Sequence, residues 1–346
     1  MNKNIPQVTA VFLTYKNRQL MYTKLIEKLF CMKVSNIIIV DNNAGAESKK
    51  TLNDFKKKYP KKIHIITNQS NAGSACGFAQ GMQHALRIKA EYIWLLDDDL
   101  LPQDDALCEL IKIWEKIDDV DKRKKVILLS NRIDKKIYLY ASQQKKPHIV
   151  IGEKNQFRSF HIFFLLNKIL QKCIDYIHEN LTKSNFLGTM PLYAPVNAGY
   201  YGGMFFHRDL VRTLGFPDEK YFVYMDDIEY SYRNVLRGGR IYFVPGSVLV
   251  DQEQSWNAKS NEFAFIQIAK MKNYSALYYS IRNRVYFELE YNVDNYIMYL
   301  FNAVIYSTII MCFALVFLKF KNIAVYCQAV IDGMKKRMGF NPDYPL

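Results

Sequence analysis

Four short apolar runs recur along the first hundred residues, and segments with helical spacing separate them. The runs Val8–Leu13, Asn36–Val40, Ile63–Thr67 and Tyr92–Leu96 are rich in branched residues and too short for buried helices. Strands that alternate with helices in this way form a parallel sheet with helices on both faces. The sequence therefore predicts an α/β fold built on a Rossmann-like, doubly wound and mostly parallel sheet.

Polar residues directly follow each of these predicted strands. They are Thr14-Tyr15, Asp41, Asn68 and Asp97–Asp99. Ligands of doubly wound sheets bind at the carboxyl ends of the strands. We therefore expect these side chains to line one binding site.

The later part of the chain has a less regular pattern. One main domain is expected over residues 1–290, with residues 131–194 as an insertion and residues 291–346 as a helical, apolar and basic C-terminal extension. Within the insertion, His161–Ile177 has helical spacing. It is either a core helix or a helix that lies on a membrane.

The chain carries 47 Lys and Arg against 33 Asp and Glu, a formal charge of +14. Such an excess attracts either nucleic acid or the anionic inner leaflet of a membrane. No nucleic-acid-binding motif accompanies the charge, so we expect no nucleic-acid partner. The six cysteines have neither a CxxC pair nor zinc spacing, and Met1–Thr9 is unlike a signal peptide. These features predict reduced thiols and a cytoplasmic location.

Residues 295–318 contain no charged side chain. The segment just reaches the length of about 20 apolar residues that a bilayer span needs, although polar residues interrupt it. It is either a span or a buried or monotopic helix. The basic segment Lys319–Arg337 that follows suits the cytoplasmic leaflet in each case. We expect the inner membrane surface as a partner, with the chain held peripherally or monotopically on its cytoplasmic face.

The predicted strand Tyr92–Leu96 ends abruptly in Asp97-Asp98-Asp99. Side chains alternate along an extended chain, so we expect Asp97 and Asp99 on the same side. Two such carboxylates hold a hard cation, which in turn binds diphosphate oxygens. The alternative is an acidic loop in which Asp99 or Asp104 caps the next helix.

A second acidic group, Asp226-Asp227, opens the predicted helix Asp226–Arg237. Acidic side chains stabilise the positive N-terminus of a helix, which is one interpretation. The other is a general base, because transfer of a group to an alcohol requires a carboxylate that takes the proton. A glycine-rich stretch, Val196–Phe206, precedes the pair and either brings backbone close to a ligand or forms an ordinary turn.

The order of these pieces resembles the family-2 inverting glycosyltransferases of the GT-A fold, in particular their galactofuranosyl- and rhamnosyltransferase branch. The matching motifs are Thr14–Arg18, Val40-Asp41-Asn42, Asn71-Ala72-Gly73 with Gly77, Asp97-Asp98-Asp99, Gly202-Gly203, Asp226-Asp227 and Tyr278-Tyr279-Ser280-Ile281-Arg282-Asn283. The tail Asp332–Gly339 is similar to the same branch. The resemblance covers residues 8–130 and 195–290 and is weak over 131–194.

The resemblance implies roles for individual residues. Those expected to contact the nucleotide donor are Thr14, Tyr15, Arg18, Asp41, Asn71, Gly73, Asp98 and Gly203. Asp97 and Asp99 would bind Mn or Mg, and Asp227 would be the catalytic base beside Asp226. Arg282 would neutralise phosphate oxygens or place the acceptor.

The chain departs from the family at one metal ligand. Members of this branch often have a metal-binding His after the strand that is Tyr242–Val250 here. The nearest residue in register is Asp251. A carboxylate there would replace the imidazole and favour harder cations.

By this resemblance the chain is an inverting, metal-dependent hexosyltransferase. It would move galactofuranose or rhamnose from a UDP- or dTDP-sugar to a hydroxyl of a glycan or lipid-linked acceptor in surface polysaccharide synthesis. Residues 1–290 would be the catalytic domain, with 131–194 on the acceptor side. Two other functions fit parts of the sequence. One is a sugar nucleotidyltransferase, but these enzymes usually have a Gly-rich loop after the first strand, where this chain has Thr14–Arg18 without glycine. The other is a membrane-associated scaffold, which leaves both acidic groups unexplained.

Overall fold

The computed structural model describes residues 6–163, 190–253 and 264–346. The chain divides into two compact units. The first comprises Met1–Val150 and Pro191–Lys259, and the second comprises Ile151–Met190 and Ser260–Leu346. This division by packing differs from the proposed domain boundary at residue 290. The predicted helix His161–Ile177 lies outside the described residues from residue 164 onward.

The first unit is built on a mixed nine-stranded sheet. Its strands are β1 (Val8–Lys16), β2 (Asn36–Ala44), β3 (Ile63–Thr67), β4 (Tyr92–Asp97), β5 (Leu100–Pro102), β6 (Val126–Arg132), β7 (Ala194–Val196), β8 (Met204–His207) and β9 (Arg240–Asp251). Their order is β3-β2-β1-β4-β8-β6-β9-β5, and β7 pairs with β9. β1 to β4 are parallel neighbours, whereas β8 runs antiparallel to β4 and β6. The predicted α/β, mostly parallel sheet is confirmed.

Helices cover both faces of this sheet. They are α1 (Gln19–Cys31), α2 (Ala46–Lys58), α3 (Gly73–Arg87), α4 (Ala106–Lys116), α5 (Lys122–Lys125), α6 (Ile137–Gln143), α7 (Arg208–Leu214) and α8 (Asp226–Leu236). Neighbouring strand residues point to opposite faces. Phe12 and Leu96 accordingly pack in a core cluster with Leu25 of α1, whereas Val11 and Leu95 pack in a second cluster with α3.

The second unit is helical in its described part. Its helices are α9 (Ala264–Lys270), α10 (Tyr274–Tyr291), α11 (Tyr296–Val316) and α12 (Phe320–Met334). A fully buried carboxylate, Glu288, organises it. Glu288 accepts hydrogen bonds from the Arg158 backbone N–H at 3.0 Å and the Tyr299 hydroxyl at 3.1 Å, and pairs with Arg284 Nε at 2.6 Å. This satisfied network ties α10, α11 and the segment around Arg158 together.

Candidate active site

The carboxyl ends of β1, β2 and β4 stand side by side at one edge of the sheet. Thr14 lies opposite Asp41 in the parallel register of β1 and β2, and Leu13 lies opposite Asp97 in that of β1 and β4. The structure thus brings together Thr14, Asp41 and Asp97, which are far apart in the sequence. This edge is where a doubly wound sheet binds its ligands.

Arg18 neutralises two carboxylates of the triplet. Its guanidinium lies 2.9 Å from Asp98 through Nε and 2.9 Å from Asp99 through Nη2. A third contact joins Nη1 to Glu253 at 3.0 Å. The same guanidinium lies 5.5 Å from the centre of the Tyr15 ring, within cation–π range. Three acidic side chains thus fix the position of the Arg18 guanidinium.

Arg132, which the sequence analysis did not single out, neutralises the remaining carboxylate. Its Nη1 lies 2.7 Å from Asp97 Oδ2, while Nε and Nη2 each lie 3.2 Å from the Asp134 carboxylate. The bidentate pair with Asp134 fixes the guanidinium plane. Arg132 ends β6, and its place at a strand end was the signal that could have revealed it.

Two expectations for the triplet are tested by the local backbone. β4 ends at Asp97 and the next two residues form a turn, so strand alternation is not what brings Asp99 near Asp97. The two carboxylates pair with different arginines, but the charge of Asp97 still acts on Asp99. The capping alternative also fails, because α4 begins at Ala106 after Asp105, and no side chain caps it.

Burial makes the charged form of this triplet costly. It raises the pKa of Asp98 to about 7 even though Arg18 opposes the rise. Burial, followed by the neighbouring Asp97 charge, raises the pKa of Asp99 to about 6. The two arginines therefore offset only part of the free-energy cost of ionising the buried triplet. Additional positive charge would stabilise the ionised carboxylates.

Two carboxylates at this edge each have an oxygen of the kind that binds a divalent cation. Asp251 pairs with Leu100 in the β5–β9 register, and its charge contributes to the raised pKa of Asp99. One oxygen on each, Asp99 Oδ1 and Asp251 Oδ1, is buried without a hydrogen-bond partner. Unsatisfied carboxylate oxygens are the ligands that Mn and Mg take. Within residues 6–163, 190–253 and 264–346, however, no three His, Cys, Asp or Glu side chains already form a metal-binding group.

Asn42 holds the loop that contains the predicted Asn71 and Gly73. Its side-chain N–H₂ donates to Asn71 Oδ1 at 2.8 Å and to the Gly73 carbonyl at 3.1 Å, and its oxygen accepts from the Ala72 N–H at 2.9 Å. The structure thus uses the Asn71 oxygen for the loop itself. Asp41 is also buried, and its Oδ1 accepts the Ala44 N–H at 2.6 Å.

Gly73 is required by packing. Its φ of +80° lies in the left-handed region, and a Cβ there would overlap the carbonyl oxygen of Phe222. The neighbouring Ser74 hydroxyl donates to Asp226 Oδ2 at 2.7 Å. The start of α3 is therefore joined to the start of α8, where the second acidic group lies.

The second acidic group has two unlike members. Asp226 is buried and held by Ser74, whereas Asp227 is only partly buried. Burial raises the pKa of Asp227 to about 7; the Ile228 N–H and Arg132 oppose the rise, and Asp97 adds to it. Asp227 thus lies within electrostatic range of the first acidic group and has a pKa suited to proton transfer at neutral pH.

Gly202 and Gly203 place backbone directly against the triplet. A Cβ on Gly202 would lie 2.5 Å from Asp97 Oδ2 and 2.8 Å from Arg132 Nη1. Gly203 has a φ of +109°, and its N–H donates to the Leu95 carbonyl at 2.8 Å. Glycine at both positions lets this loop lie on the Asp97–Arg132 pair.

Arg282 lies in α10 of the second unit. Its guanidinium is buried, donates from Nη1 to the Gly339 carbonyl at 2.7 Å, and lies 4.8 Å from the centre of the Tyr279 ring. These contacts join α10 to the C-terminal segment. Its expected role toward phosphate or acceptor stays a prediction.

Sequence comparison agrees with this geometry. A family model described as glycosyl transferase family 2 matches residues 11–174. The matched residues, just under half of the chain, are similar to family-2 glycosyltransferases. Together with the sheet topology, this match confirms the expected GT-A fold.

The chain is similar to curated galactofuranosyltransferases. It is 25% identical over 233 residues to galactofuranosyltransferase GlfT1 of Mycolicibacterium smegmatis, covering 67% of this chain and 66% of that protein, just under two thirds of its length. It is 36% identical over 69 residues to GlfT1 of Mycobacterium tuberculosis, covering 20% of this chain and 22% of that protein.

Solved structures of glycosyltransferases are also similar. One is GalNAc-T7 with UDP, GalNAc and Mn²⁺, with a TM-score of 0.49, 14% identity, and coverage of 72% of this chain and 44% of that chain. Another is the mannosyltransferase PcManGT of Pyrobaculum calidifontis with GDP-Man and Mn²⁺, with a TM-score of 0.47, 15% identity, and coverage of 97% and 77%.

Proposed function

We propose that this chain is an inverting, metal-dependent glycosyltransferase that transfers galactofuranose or rhamnose from a UDP- or dTDP-sugar. The acceptor is a hydroxyl of a glycan or lipid-linked precursor of a surface polysaccharide, used at the cytoplasmic face of the membrane. The similarity to galactofuranosyltransferase GlfT1 favours galactofuranose.

One observation carries the proposed mechanism. Asp227 is a partly buried carboxylate with a raised pKa, and it lies within electrostatic range of Asp97. Asp97 is the first residue of the triplet, whose carboxylates pair with arginines. Transfer to an alcohol needs both a site for the donor diphosphate and a base for the acceptor proton. The two acidic groups supply one each.

The residues of the chain then act in a single displacement. The acceptor oxygen forms a bond to the anomeric carbon while the bond from that carbon to the diphosphate oxygen breaks. Asp227 takes the acceptor proton, and Asp226, held by Ser74, orients the start of α8. Arg18 and Arg132 balance the charge of the triplet. The configuration at the anomeric carbon is inverted because no enzyme nucleophile intervenes.

Asp97, Asp99 and Asp251 would hold the divalent cation. When bound, the cation supplies a positive charge that stabilises the departing nucleoside diphosphate. The nucleobase and ribose of the donor nucleotide would lie against Thr14, Tyr15 and Asp41.

A nucleotide-sugar screen tests the donor assignment. Saturation-transfer NMR with a panel of UDP-, dTDP- and GDP-sugars should show contact with UDP-galactofuranose or dTDP-rhamnose above the others. The anomeric configuration of the transferred sugar, read from its NMR couplings, should be opposite to that of the donor. Retained configuration would contradict the single displacement, and preference for a GDP-sugar would contradict the donor.

A further inference from the structure

One face of α11 is uncharged, apolar except at Thr308, and exposed along its whole length. The residues of this outer stripe recur at spacings of three and four: Ile297, Phe301, Val304, Thr308, Cys312 and Leu315. None carries a charge, whereas the outer face of a helix on a soluble protein is normally charged or polar. A continuous exposed apolar surface marks a site of interaction with a membrane or a protein.

The opposite face of α11 is packed within the second unit. Asn302 is fully buried; its amide donates to the Asn155 carbonyl at 2.9 Å, and its oxygen accepts the Ile162 N–H at 3.0 Å. Tyr299 on the same face donates to buried Glu288. A helix crossing a bilayer would carry this polar and ionised network into the hydrocarbon at high cost. Length and apolar composition alone allow α11 to span, but its contacts favour an orientation along the membrane plane.

Exposed apolar and basic residues alternate just beyond the helix. Leu318 and Phe320 are 73% and 62% exposed, and Lys319 and Lys321 beside them are exposed as well. From Asn295 to Ile331 the sequence contains no Asp or Glu. Asp294 lies at the other end of the stripe, so the positive charge is concentrated at the Leu318–Lys321 end. An apolar surface with positive charge at one end is complementary to anionic lipid headgroups.

We propose that the second unit docks on an anionic phospholipid surface through the outer stripe and the Leu318–Lys321 turn, with α11 lying in the plane of the membrane. From Ile297 to Leu315 the stripe is about 27 Å long, at 1.5 Å per residue. A second copy of the chain is the less suitable occupant, because its own stripe region has the same positive charge. The inference deepens the proposed membrane partnership, and its tests measure no sugar transfer, so their failure is distinguishable from failure of the enzymatic proposal.

Vesicle flotation of the purified full chain tests the docking surface. The chain should float with phosphatidylcholine vesicles that contain phosphatidylglycerol, and far less with phosphatidylcholine alone. Val304→Asp/Leu315→Asp should lower binding about tenfold or more, because charged side chains oppose insertion. Lys319→Ala/Lys321→Ala should lower it about fivefold per lysine.

Two control variants match these changes on the first unit. They are Val120→Asp, at a fully exposed valine, and Lys57→Ala/Lys61→Ala, at exposed lysines. Both should float as the parent does. Normal flotation of the stripe variant would overturn the proposal. So would a parent dimer in solution that Val304→Asp/Leu315→Asp dissociates, since a second copy would then cover the stripe.

A depth measurement tests the orientation. Tryptophans introduced singly as Ile297→Trp, Thr308→Trp and Leu315→Trp report their depth through quenching by lipids brominated at different acyl positions. The in-plane orientation predicts one shallow depth for all three. Deep quenching at Thr308→Trp with shallow quenching at both ends would show a span and overturn the proposal.

Discussion

The two acidic groups of the first unit have different polar partners. The triplet Asp97–Asp99 is paired with Arg18 and Arg132. For Asp226-Asp227, the described residues supply a serine hydroxyl and backbone N–H groups, with no ion pair. Burial raises pKa values in both groups, so the difference lies in the ion pairs. Arginine partners suit a group that holds a cation and diphosphate, whereas a carboxylate with a raised pKa and no ion pair suits proton transfer.

The largest effect is expected from changing the triplet. Asp99→Ala removes an oxygen that is buried without a partner, and Asp97→Ala removes the partner of Arg132. Each should abolish detectable transfer and weaken binding of the nucleoside diphosphate in Mn, and a chelator should do the same to the parent. Calorimetric titration of nucleoside diphosphate with and without Mn measures this. Full activity in excess EDTA would contradict the metal assignment.

The pH dependence of turnover separates the two groups. Since burial raises the pKa of Asp227 to about 7, the base is protonated and inactive below that pH. Turnover at saturating donor should therefore fall about tenfold per pH unit below about 7 and level off above it. Asp98 and Asp99, whose pKa values burial raises to about 7 and about 6, should affect donor binding instead. Turnover that stays flat across this range would exclude Asp227 as the base.

The smallest effect is expected from the glycine that touches the triplet. Gly202→Ala places a Cβ against the Asp97–Arg132 pair and should weaken donor binding about tenfold, the scale for residues that orient metal ligands. Turnover at saturating donor should change little. Gly246→Ala is the control, because its φ is outside the left-handed region and the atoms nearest its Cβ position, from 3.2 Å, belong to the flexible Glu109 side chain. Equal donor affinity in both variants would show that Gly202 does not position Asp97.

The strand ends could be predicted from sequence, but the residues that connect them could not. Thr14, Asp41 and Asp97 follow apolar runs, and parallel strands end at the same edge. Arg132 and Asn42 act through contacts with residues far away in sequence, at Asp97 and at Asn71 to Gly73. Such contacts depend on loop conformation, which no periodicity records. For the same reason, the sequence did not predict that β8 lies between β4 and β6 and runs antiparallel to both.

The same contrast holds for α11. Its composition left a span and a buried or monotopic helix as alternatives, since both require apolar residues. The proposal that α11 lies in the membrane plane rests on the hydrogen bonds of Asn302 to Asn155 and Ile162, and these partners lie far from α11 in the sequence.

Comparison of Asp227→Asn with Asp226→Asn tests the central claim most directly, that the two acidic groups have separate tasks. Asp227→Asn keeps the shape of the side chain but removes the proton acceptor. With saturating donor it should lower turnover about 100-fold or more, the usual range for loss of a general base, while a donor titration stays near the parent value. Asp226→Asn should be milder. Normal turnover of Asp227→Asn beside an inactive Asp226→Asn would contradict the assignment of the base, and activity in both would show that the pair only begins a helix.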